Sequence, residues 1–107
     1  MVGSPRSSPI DFDARTAKSI DKGYRSPEIV ALRAHLRSAL ALSRGETVVD
    51  VGCGTGLLCA EMANEVGSSG RVIGVDLSAP MLTLAKSRCA DHPEIELHHG
   101  NIHDLPV

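Results

Sequence analysis

Residues 48–56 read Val48-Val49-Asp50-Val51-Gly52-Cys53-Gly54-Thr55-Gly56, and this stretch decides the fold of the 107-residue chain. The valines predict a buried strand, the three alternating glycines predict a tight turn, and the apolar pattern that follows predicts a helix. Such a turn lets the backbone approach a ligand closely, and the helix start offers unpaired N–H groups at the positive end of its dipole. Because Asp50 adds a carboxylate acceptor there, the site suits a molecule that carries both an ammonium and a carboxylate.

A second strand, followed by a second helix, is predicted further along the chain. Val72-Ile73-Gly74-Val75 reads as a buried strand that ends in Asp76, and Ser78 is placed to cap a helix whose first turn contains Pro80. An acid at the end of the second strand of a β-α-β unit can accept hydrogen bonds from both hydroxyls of a ribose. Asp76 is therefore a candidate ribose ligand.

The third informative segment is Gly100-Asn101-Ile102-His103-Asp104-Leu105-Pro106, which follows a short predicted strand, Ile95 to His99. Each of the three segments follows a predicted strand: the glycine turn follows the first, the acid ends the second, and this loop follows the third. Strands that alternate with helices in this way indicate a parallel, doubly wound sheet.

Together the three segments resemble class I S-adenosylmethionine-dependent methyltransferases, in particular the small-molecule enzymes of the ubiquinone- and menaquinone-biosynthesis-like group. VVDVGCGTG resembles that family's motif I, (D/E)xGxGxG; VIGVDLSAPML resembles its GxDxSxxML segment; and GNIHDLP resembles its G-D-A-x-x-L-P loop. The resemblance implies S-adenosyl-L-methionine as cofactor and the following cofactor-binding residues: Asp50, Gly52, Cys53, Gly54, Thr55, Gly56, Asp76, Leu77, Met81, Asn101 and Ile102.

The resemblance also implies individual roles for several of these residues. Asp76 would bind the ribose, and Leu77 would lie against the adenine. Asn101 stands where the family most often has Asp, and its amide oxygen can still accept from the adenine amino group. The backbone N–H of the next residue, Ile102, would donate to the adenine ring.

A nicotinamide or flavin dinucleotide site is the competing interpretation of the glycine turn. Its GxGxxG fingerprint requires a glycine where this chain has Leu57, so the fingerprint is not met. Asp76 follows Gly56 by 20 positions, which fits either cofactor. A nicotinamide-dependent oxidoreductase fragment therefore stays an alternative.

The resemblance implies a seven-stranded sheet in the order 3-2-1-4-5-7-6, of which the sequence predicts only three strands: Thr47–Val51, Arg71–Val75 and Ile95–His99. The expected fold is thus α/β, a Rossmann-like doubly wound parallel sheet truncated after the third strand. Residues 45–107 would form a partial S-adenosylmethionine-binding domain and residues 11–44 an N-terminal helical segment, with a disordered tail at 1–10. The first strand would be an open edge, which invites pairing with a missing C-terminal half or with another copy.

Within the N-terminal segment, Ser26-Pro27-Glu28 is a typical helix start. Apolar residues at Ile29, Leu32, Leu36 and Leu40 follow at helical spacing, so we expect an amphipathic helix that packs on the sheet. Tyr24, just before it, is a candidate to close over the methionine end of the cofactor, and simple packing is the alternative.

The implied function is methyl transfer to a small-molecule acceptor by in-line displacement, in which the protein contributes proximity, alignment and desolvation. The catalytic residues are unknown, because in the family a general base normally comes from later strands. The chain alone is therefore expected to be inactive. A non-catalytic truncated module that pairs with another subunit is an alternative function.

Composition sets the remaining bounds. A net charge of −2 gives no electrostatic argument for nucleic acid or an anionic membrane. The sequence has no apolar run of the ~20 residues that span a bilayer, and no secretory signal. Three cysteines at irregular spacing indicate neither a disulfide framework nor a metal site, so we expect a cytoplasmic location.

Four histidines lie close together in the last part of the sequence, at His92, His98, His99 and His103. Adjacent side chains on a strand point to opposite faces, so His98 and His99 are not expected to share a metal ion. No metal is predicted. His103 lies in the loop on the adenine side and is a candidate to line the cofactor pocket.

Overall fold

The computed structural model describes residues 13–105, and the tail predicted at 1–10 lies outside them. In chain order the elements are helices α1 (Ala14–Tyr24) and α2 (Pro27–Leu40), strand β1 (Thr47–Val51), helix α3 (Leu57–Val66), strand β2 (Arg71–Asp76), helix α4 (Ala79–Arg88), strand β3 (Ile95–His99) and a short 3₁₀ turn (Ile102–Asp104). The predicted strands are thus present with nearly the predicted bounds, Asp76 being the last residue of β2.

The three strands form one parallel sheet in the order β1-β2-β3. Val48 lies opposite Val72, and Val72 lies opposite Ile95. Because neighbouring strands run in the same direction, the glycine turn, Asp76 and the Asn101 loop all meet at one edge of the sheet. The predicted class, α/β with a Rossmann-like parallel sheet, is confirmed.

The core lies between the sheet and helices α3 and α4. Apolar residues of α3, β2 and α4 fill it, each at most 6% exposed: Cys59, Met62, Ala63, Val66, Val72, Leu82, Ala85 and Cys89. Gly74 of β2 leaves room for the sulfur atoms of Cys53 and Cys59, each 3.0 Å from the position that a Cβ would take. This close packing places the glycine turn directly over the core.

The helix boundaries follow from local chemistry. The Ser26 hydroxyl accepts from the backbone N–H of Ile29 at 3.4 Å, and the Ser78 hydroxyl accepts from that of Met81 at 3.3 Å. These bonds satisfy N–H groups that a helix start leaves without a partner. Gly67 ends α3 in a conformation with φ of +71°, which favours glycine.

Helix α2 forms as predicted, but the expectation that it packs on the sheet is wrong. None of its residues is buried, and Leu32, Leu36 and Leu40 are 46–63% exposed. The helix instead turns two arginines toward α3: Arg33 pairs with Glu61 at 3.0 Å, and Arg37 pairs with Glu61 at 2.6 Å. Because these two arginines lie one helical turn apart, they turn their own face of α2 toward α3. The face that carries the leucines therefore points to solvent.

Strand β1 is an edge of the described sheet. Val49 and Val51 point away from α3 and are 43% and 62% exposed, whereas Val48 packs against the core. The predicted open edge of β1 is therefore present within residues 13–105.

Candidate functional site

Two adjoining cavities lie at the carboxyl ends of the strands. The first has a volume of about 340 Å³ and is lined by Tyr24, Val51, Gly52, Gly54, Val75, Asp76, Leu77, Met81, Gly100, Asn101 and Ile102. The second has a volume of about 210 Å³ and is lined by Tyr24, Ile29, Arg33, Asp50, Gly52, Cys53, Thr55, Leu57 and Leu58. Tyr24 and Gly52 line both, so the two cavities meet there.

The glycine turn is held against the end of β2. The backbone N–H groups of Gly52 and Cys53 both donate to the carbonyl oxygen of Val75, at 2.7 and 3.0 Å. Gly52 has φ of +76°, and a Cβ at this position would meet no protein atom within 4 Å. The residue therefore opens onto free space, which is the geometry of a backbone that a ligand approaches.

The third glycine of the turn has a different task. A Cβ at Gly56 would lie 3.0 Å from Cβ of Ala85 and 3.1 Å from the sulfur of Cys89. Gly56 lies outside both cavity linings. Its missing side chain lets the start of α3 pack closely on α4.

Asp76 connects the glycine turn with the start of α4. One carboxylate oxygen accepts from the N–H of Gly54 at 2.8 Å, and the other accepts from the N–H of Ser78 at 2.8 Å. An ionised carboxylate has about four acceptor positions, so each oxygen keeps capacity for a further donor. Asp76 therefore faces the first cavity as a fixed acceptor.

Apolar side chains from two loops form the walls of the first cavity. Leu77 is 47% exposed and Ile102 is 41% exposed, which is unusual for large apolar residues beside a cavity. Met81 is buried below them. The amide oxygen of Asn101 accepts from the N–H of His103 at 2.8 Å, so this residue shapes its own turn as well as lining the cavity.

The second cavity contains the carboxylate of Asp50. Its Oδ2 lies 3.4 Å from the sulfur of Cys59, which donates to it. Burial raises the pKa of Asp50 above its ordinary value, and the nearby charge of Asp76 acts in the same direction. A half-buried carboxylate of this kind gains from a cationic partner.

The cysteines beneath the turn are neutral thiols. A hydrogen bond with Cys53, followed by burial, raises the pKa of Cys59, and burial raises the pKa of Cys89. Because the thiolate is the reactive form, neither of these residues is placed to act as a nucleophile at neutral pH.

Sequence reasoning did not identify Arg33 as a residue of the site. Its Nε donates to Glu61 at 3.0 Å, and its Nη1 donates to the carbonyl oxygen of Tyr24 at 2.5 Å. These two contacts hold the guanidinium in the wall of the second cavity. The available signal was a pair of arginines, Arg33 and Arg37, one helical turn apart, but nothing in the sequence says which way that face points.

Most of the predicted site residues are brought together, but in two groups. Gly52, Gly54, Asp76, Leu77, Met81, Asn101 and Ile102 line the first cavity, whereas Asp50, Gly52, Cys53 and Thr55 line the second. Gly56 lies outside both linings, and so does His103, which was a candidate to line the pocket. Tyr24 covers the junction.

Within positions 13–105, no group of three or more His, Cys, Asp or Glu side chains could hold a metal ion. In the same part of the chain no helix is both long enough and apolar enough to cross a bilayer.

Comparison with known proteins places this geometry in context. A sequence profile described as a methyltransferase domain matches residues 48–107. The chain is 45% identical over 64 residues to a demethylmenaquinone methyltransferase of Oceanobacillus iheyensis, which covers 58% of this chain and 27% of that protein. The curated relatives that the chain matches, which include an arsenite methyltransferase of Halobacterium salinarum, are covered over only 18% to 31% of their own length.

Solved structures agree on the fold. The crystal structure of a SAM-dependent methyltransferase from Aquifex aeolicus superposes with a TM-score of 0.71 over 91% of this chain and 52% of that one, at 24% identity. A geranyl diphosphate C-methyltransferase from Streptomyces coelicolor, solved with S-adenosyl-L-homocysteine, is 27% identical with a TM-score of 0.63. It matches 72% of this chain and 28% of its own length. Since the profile covers more than half of the sequence and includes the glycine turn, Asp76 and the Asn101 loop, the chain belongs to the S-adenosylmethionine-dependent methyltransferase-domain family.

Proposed function

We propose that this chain is the cofactor-binding part of a methyltransferase and that its two cavities hold S-adenosyl-L-methionine. The observation that carries the proposal is their arrangement. They meet at Gly52 beneath Tyr24, and each contains one carboxylate from the end of a neighbouring strand. A cofactor with a nucleoside at one end and an amino acid at the other needs two such compartments.

The first cavity fits the nucleoside end. Asp76 has acceptor capacity for two ribose hydroxyls beyond its bonds to Gly54 and Ser78. Leu77 and Ile102 offer apolar surfaces on which a flat adenine ring can lie, and their exposure makes that burial favourable. Asn101 and the backbone of Ile102 supply the polar contacts that the family resemblance assigns to the ring edge.

The second cavity fits the amino acid end. Asp50 is a half-buried acceptor for an ammonium group, and Arg33 in the same lining is a donor for a carboxylate. Cys53 and Thr55 shape the wall between them. The open space in front of Gly52, which any side chain would occupy, leaves room for the chain that joins the two ends.

When bound, S-adenosyl-L-methionine supplies a methyl group already activated on a sulfonium. The protein's own residues then bind and orient. Asp76 and Asp50 hold opposite ends of the ligand, Gly52 and Gly54 let the backbone approach it, and Tyr24 excludes water at the junction. This is catalysis by positioning and desolvation.

For the acceptor we propose a small molecule of the quinone type, by analogy with the demethylmenaquinone methyltransferase that the chain resembles over 27% of that enzyme's length. Three unpaired, buried cysteines support a reducing compartment such as the cytoplasm.

Isothermal titration of the purified chain with S-adenosyl-L-homocysteine tests the proposal, with NAD as a matched control ligand. We expect saturable binding of S-adenosyl-L-homocysteine and none of NAD. NAD binding alone would support the oxidoreductase alternative. A chain that is folded by circular dichroism and binds neither ligand would contradict the cofactor site.

A second candidate function is association through the open edge of β1, favoured by the exposure of Val49 and Val51. Size-exclusion chromatography with light scattering distinguishes the two. Concentration-dependent dimers that Val49→Lys abolishes would support edge pairing, since Val49 lies on β1 outside both cavities, and a monomer at all concentrations would contradict it.

A further inference from the structure

An ion pair between a buried aspartate and a half-buried arginine joins helices α1 and α4. The guanidinium of Arg88 donates from Nη1 to Oδ1 of Asp21 at 2.6 Å and from Nη2 to Oδ2 at 2.9 Å. Asp21 is only 7% exposed. The Arg88 guanidinium holds the pKa of Asp21 below its ordinary value, so the pair is ionised at neutral pH. A side-on, two-bond geometry of this kind sets orientation as well as proximity.

The same two residues also hold the glycine turn. The hydroxyl of Thr55 donates to Oδ1 of Asp21 at 2.5 Å, and Nη1 of Arg88 donates to the carbonyl oxygen of Thr55 at 2.8 Å. Thr55 is 1% exposed. Both the side chain and the backbone of one turn residue are therefore bonded to the ion pair, although Asp21 and Arg88 lie 67 positions apart in sequence.

Helix α1 has one other long-range anchor of note, the hydrogen bond from Nη1 of Arg33 in α2 to the carbonyl oxygen of Tyr24 at 2.5 Å. Its buried residues are Ala17, which has a minimal side chain, and Asp21 itself. Tyr24 follows Asp21 by three positions and so lies on the same face of the helix. From there it reaches the junction of the cavities, where its Cε2 lies 3.9 Å from the position of a Cβ on Gly54. The ion pair fixes the face of α1 that carries Tyr24, while the Arg33 contact holds the Tyr24 backbone at the end of the helix.

Stability alone is a poor reason to bury such a pair. Removing two charges from water costs several kcal/mol, and apolar replacements of equal volume are often neutral or stabilising. An apolar contact, however, would not bind the Thr55 hydroxyl and carbonyl together or fix the rotation of α1.

We propose that Asp21 and Arg88 are positioning residues, which hold Tyr24 over the junction of the two cavities and fix Thr55 in the glycine turn. The inference deepens the proposed function and rests on it. It assigns α1 a role in forming the cofactor site.

The chain provides its own reporter for a test, because it contains one tyrosine and no tryptophan. Tyrosine emission and its quenching by acrylamide therefore report on Tyr24 alone. The variants are Asp21→Asn, which removes the charge, and Arg88→Lys, which keeps the charge but loses the two-bond geometry. Glu96→Gln is the matched control, because Glu96 pairs with Arg71 on the exposed surface, outside both cavities.

We expect Asp21→Asn to increase acrylamide quenching of Tyr24 and to weaken S-adenosyl-L-homocysteine binding by about tenfold. Arg88→Lys should change the quenching and the affinity in the same direction but by less. Glu96→Gln should leave the quenching and the affinity at their wild-type values. A folded Asp21→Asn protein with wild-type quenching and affinity would overturn the inference.

If Asp21→Asn does not fold, Thr55→Val tests the inference instead, because it removes only the hydrogen bond from the Thr55 hydroxyl to Asp21. We expect it to weaken binding by about threefold, and unchanged affinity would overturn the link to the turn. If the wild-type chain binds no S-adenosyl-L-homocysteine, the proposed function fails. The quenching of Tyr24, measured without ligand, still tests the positioning role.

Discussion

The two cavities are built in opposite ways, although they lie side by side. Apart from Tyr24, the first is made from strand ends, loops and Met81 of the β-α-β unit, and its single acid, Asp76, is bonded to backbone N–H groups on both sides. The second combines the glycine turn with α1 and α2, and its charged groups, Asp50 and Arg33, come from different parts of the chain. The first is therefore a local construction, and the second depends on the N-terminal helices.

This difference has a functional consequence. If the nucleoside end lies in the first cavity and the amino acid end in the second, then α1 and α2 contribute mainly to affinity for the amino acid end, and of their residues only Tyr24 borders both ends. Fragments of the cofactor separate the two contributions, since adenosine reports on the first cavity and S-adenosyl-L-homocysteine reports on both.

The largest effect is expected where the cavities meet. Gly52→Val would place a branched side chain in the space that both share, at φ of +76°. We expect S-adenosyl-L-homocysteine affinity to fall by about 3 kcal/mol or more, from steric overlap and backbone strain. Titration calorimetry measures the loss.

Gly45→Val is the matched control, because Gly45 has φ of +88° but lies outside both cavities. Gly45→Val should introduce a similar backbone strain and so lower the melting temperature, without changing the affinity for S-adenosyl-L-homocysteine. Equal losses of affinity in the two variants would mean that Gly52 acts through folding alone.

A smaller effect is expected in the first cavity. Asp76→Ala removes charged hydrogen bonds to the ribose and should weaken both adenosine and S-adenosyl-L-homocysteine by about 1–3 kcal/mol. Asp91→Ala, in an exposed turn beyond α4, serves as control. Unchanged adenosine affinity in Asp76→Ala would remove this residue from the site.

In the second cavity the loss should depend on the ligand. Arg33→Met keeps much of the side-chain volume but removes the donor, so S-adenosyl-L-homocysteine should bind about 1–2 kcal/mol more weakly while adenosine is unaffected. Arg37→Met, one turn along α2 and outside both linings, controls for the lost pairing with Glu61. Equal effects on the two ligands would contradict the division between the cavities.

The smallest effect is a pH dependence that belongs to the second cavity alone. Burial raises the pKa of Asp50, so the folded state favours its neutral form. This preference contributes to the free energy of unfolding in full when the pH is below the pKa of Asp50 in the unfolded chain. The contribution is lost as the pH rises through the higher pKa of Asp50 in the folded protein. A ligand ammonium favours the charged form instead, and affinity should therefore increase with pH over the same range.

We expect S-adenosyl-L-homocysteine affinity to fall by about three- to tenfold from pH 7 to about pH 4.5, with little change for adenosine. Cys59, Asp76 and Arg33 are the other ionisable groups near Asp50. Asp50→Asn should remove most of the dependence. A full pH dependence in that variant would assign it to another group.

The local elements of this protein were predictable from its sequence. Strand bounds, the caps at Ser26 and Ser78 and the stop at Gly67 all follow from signals that act within a few residues. The meeting of the glycine turn, Asp76 and the Asn101 loop was also predictable, because parallel strands bring their carboxyl ends to one edge. That is why the first cavity contains most of the predicted residues.

Other features depended on contacts between distant parts of the chain. The sequence contains Asp21, Arg88 and Thr55 but gives no sign that they meet. A long-range ion pair leaves no periodic pattern of residues that could predict it. The apolar spacing of α2 indicated the wrong face, because pairing of Arg33 and Arg37 with α3 decided its orientation. By itself, then, the sequence determined the β-α-β unit and its acids, through short-range backbone chemistry. Only the tertiary structure decided how α1 and α2 complete the second cavity, because long-range charge pairing and packing set that arrangement.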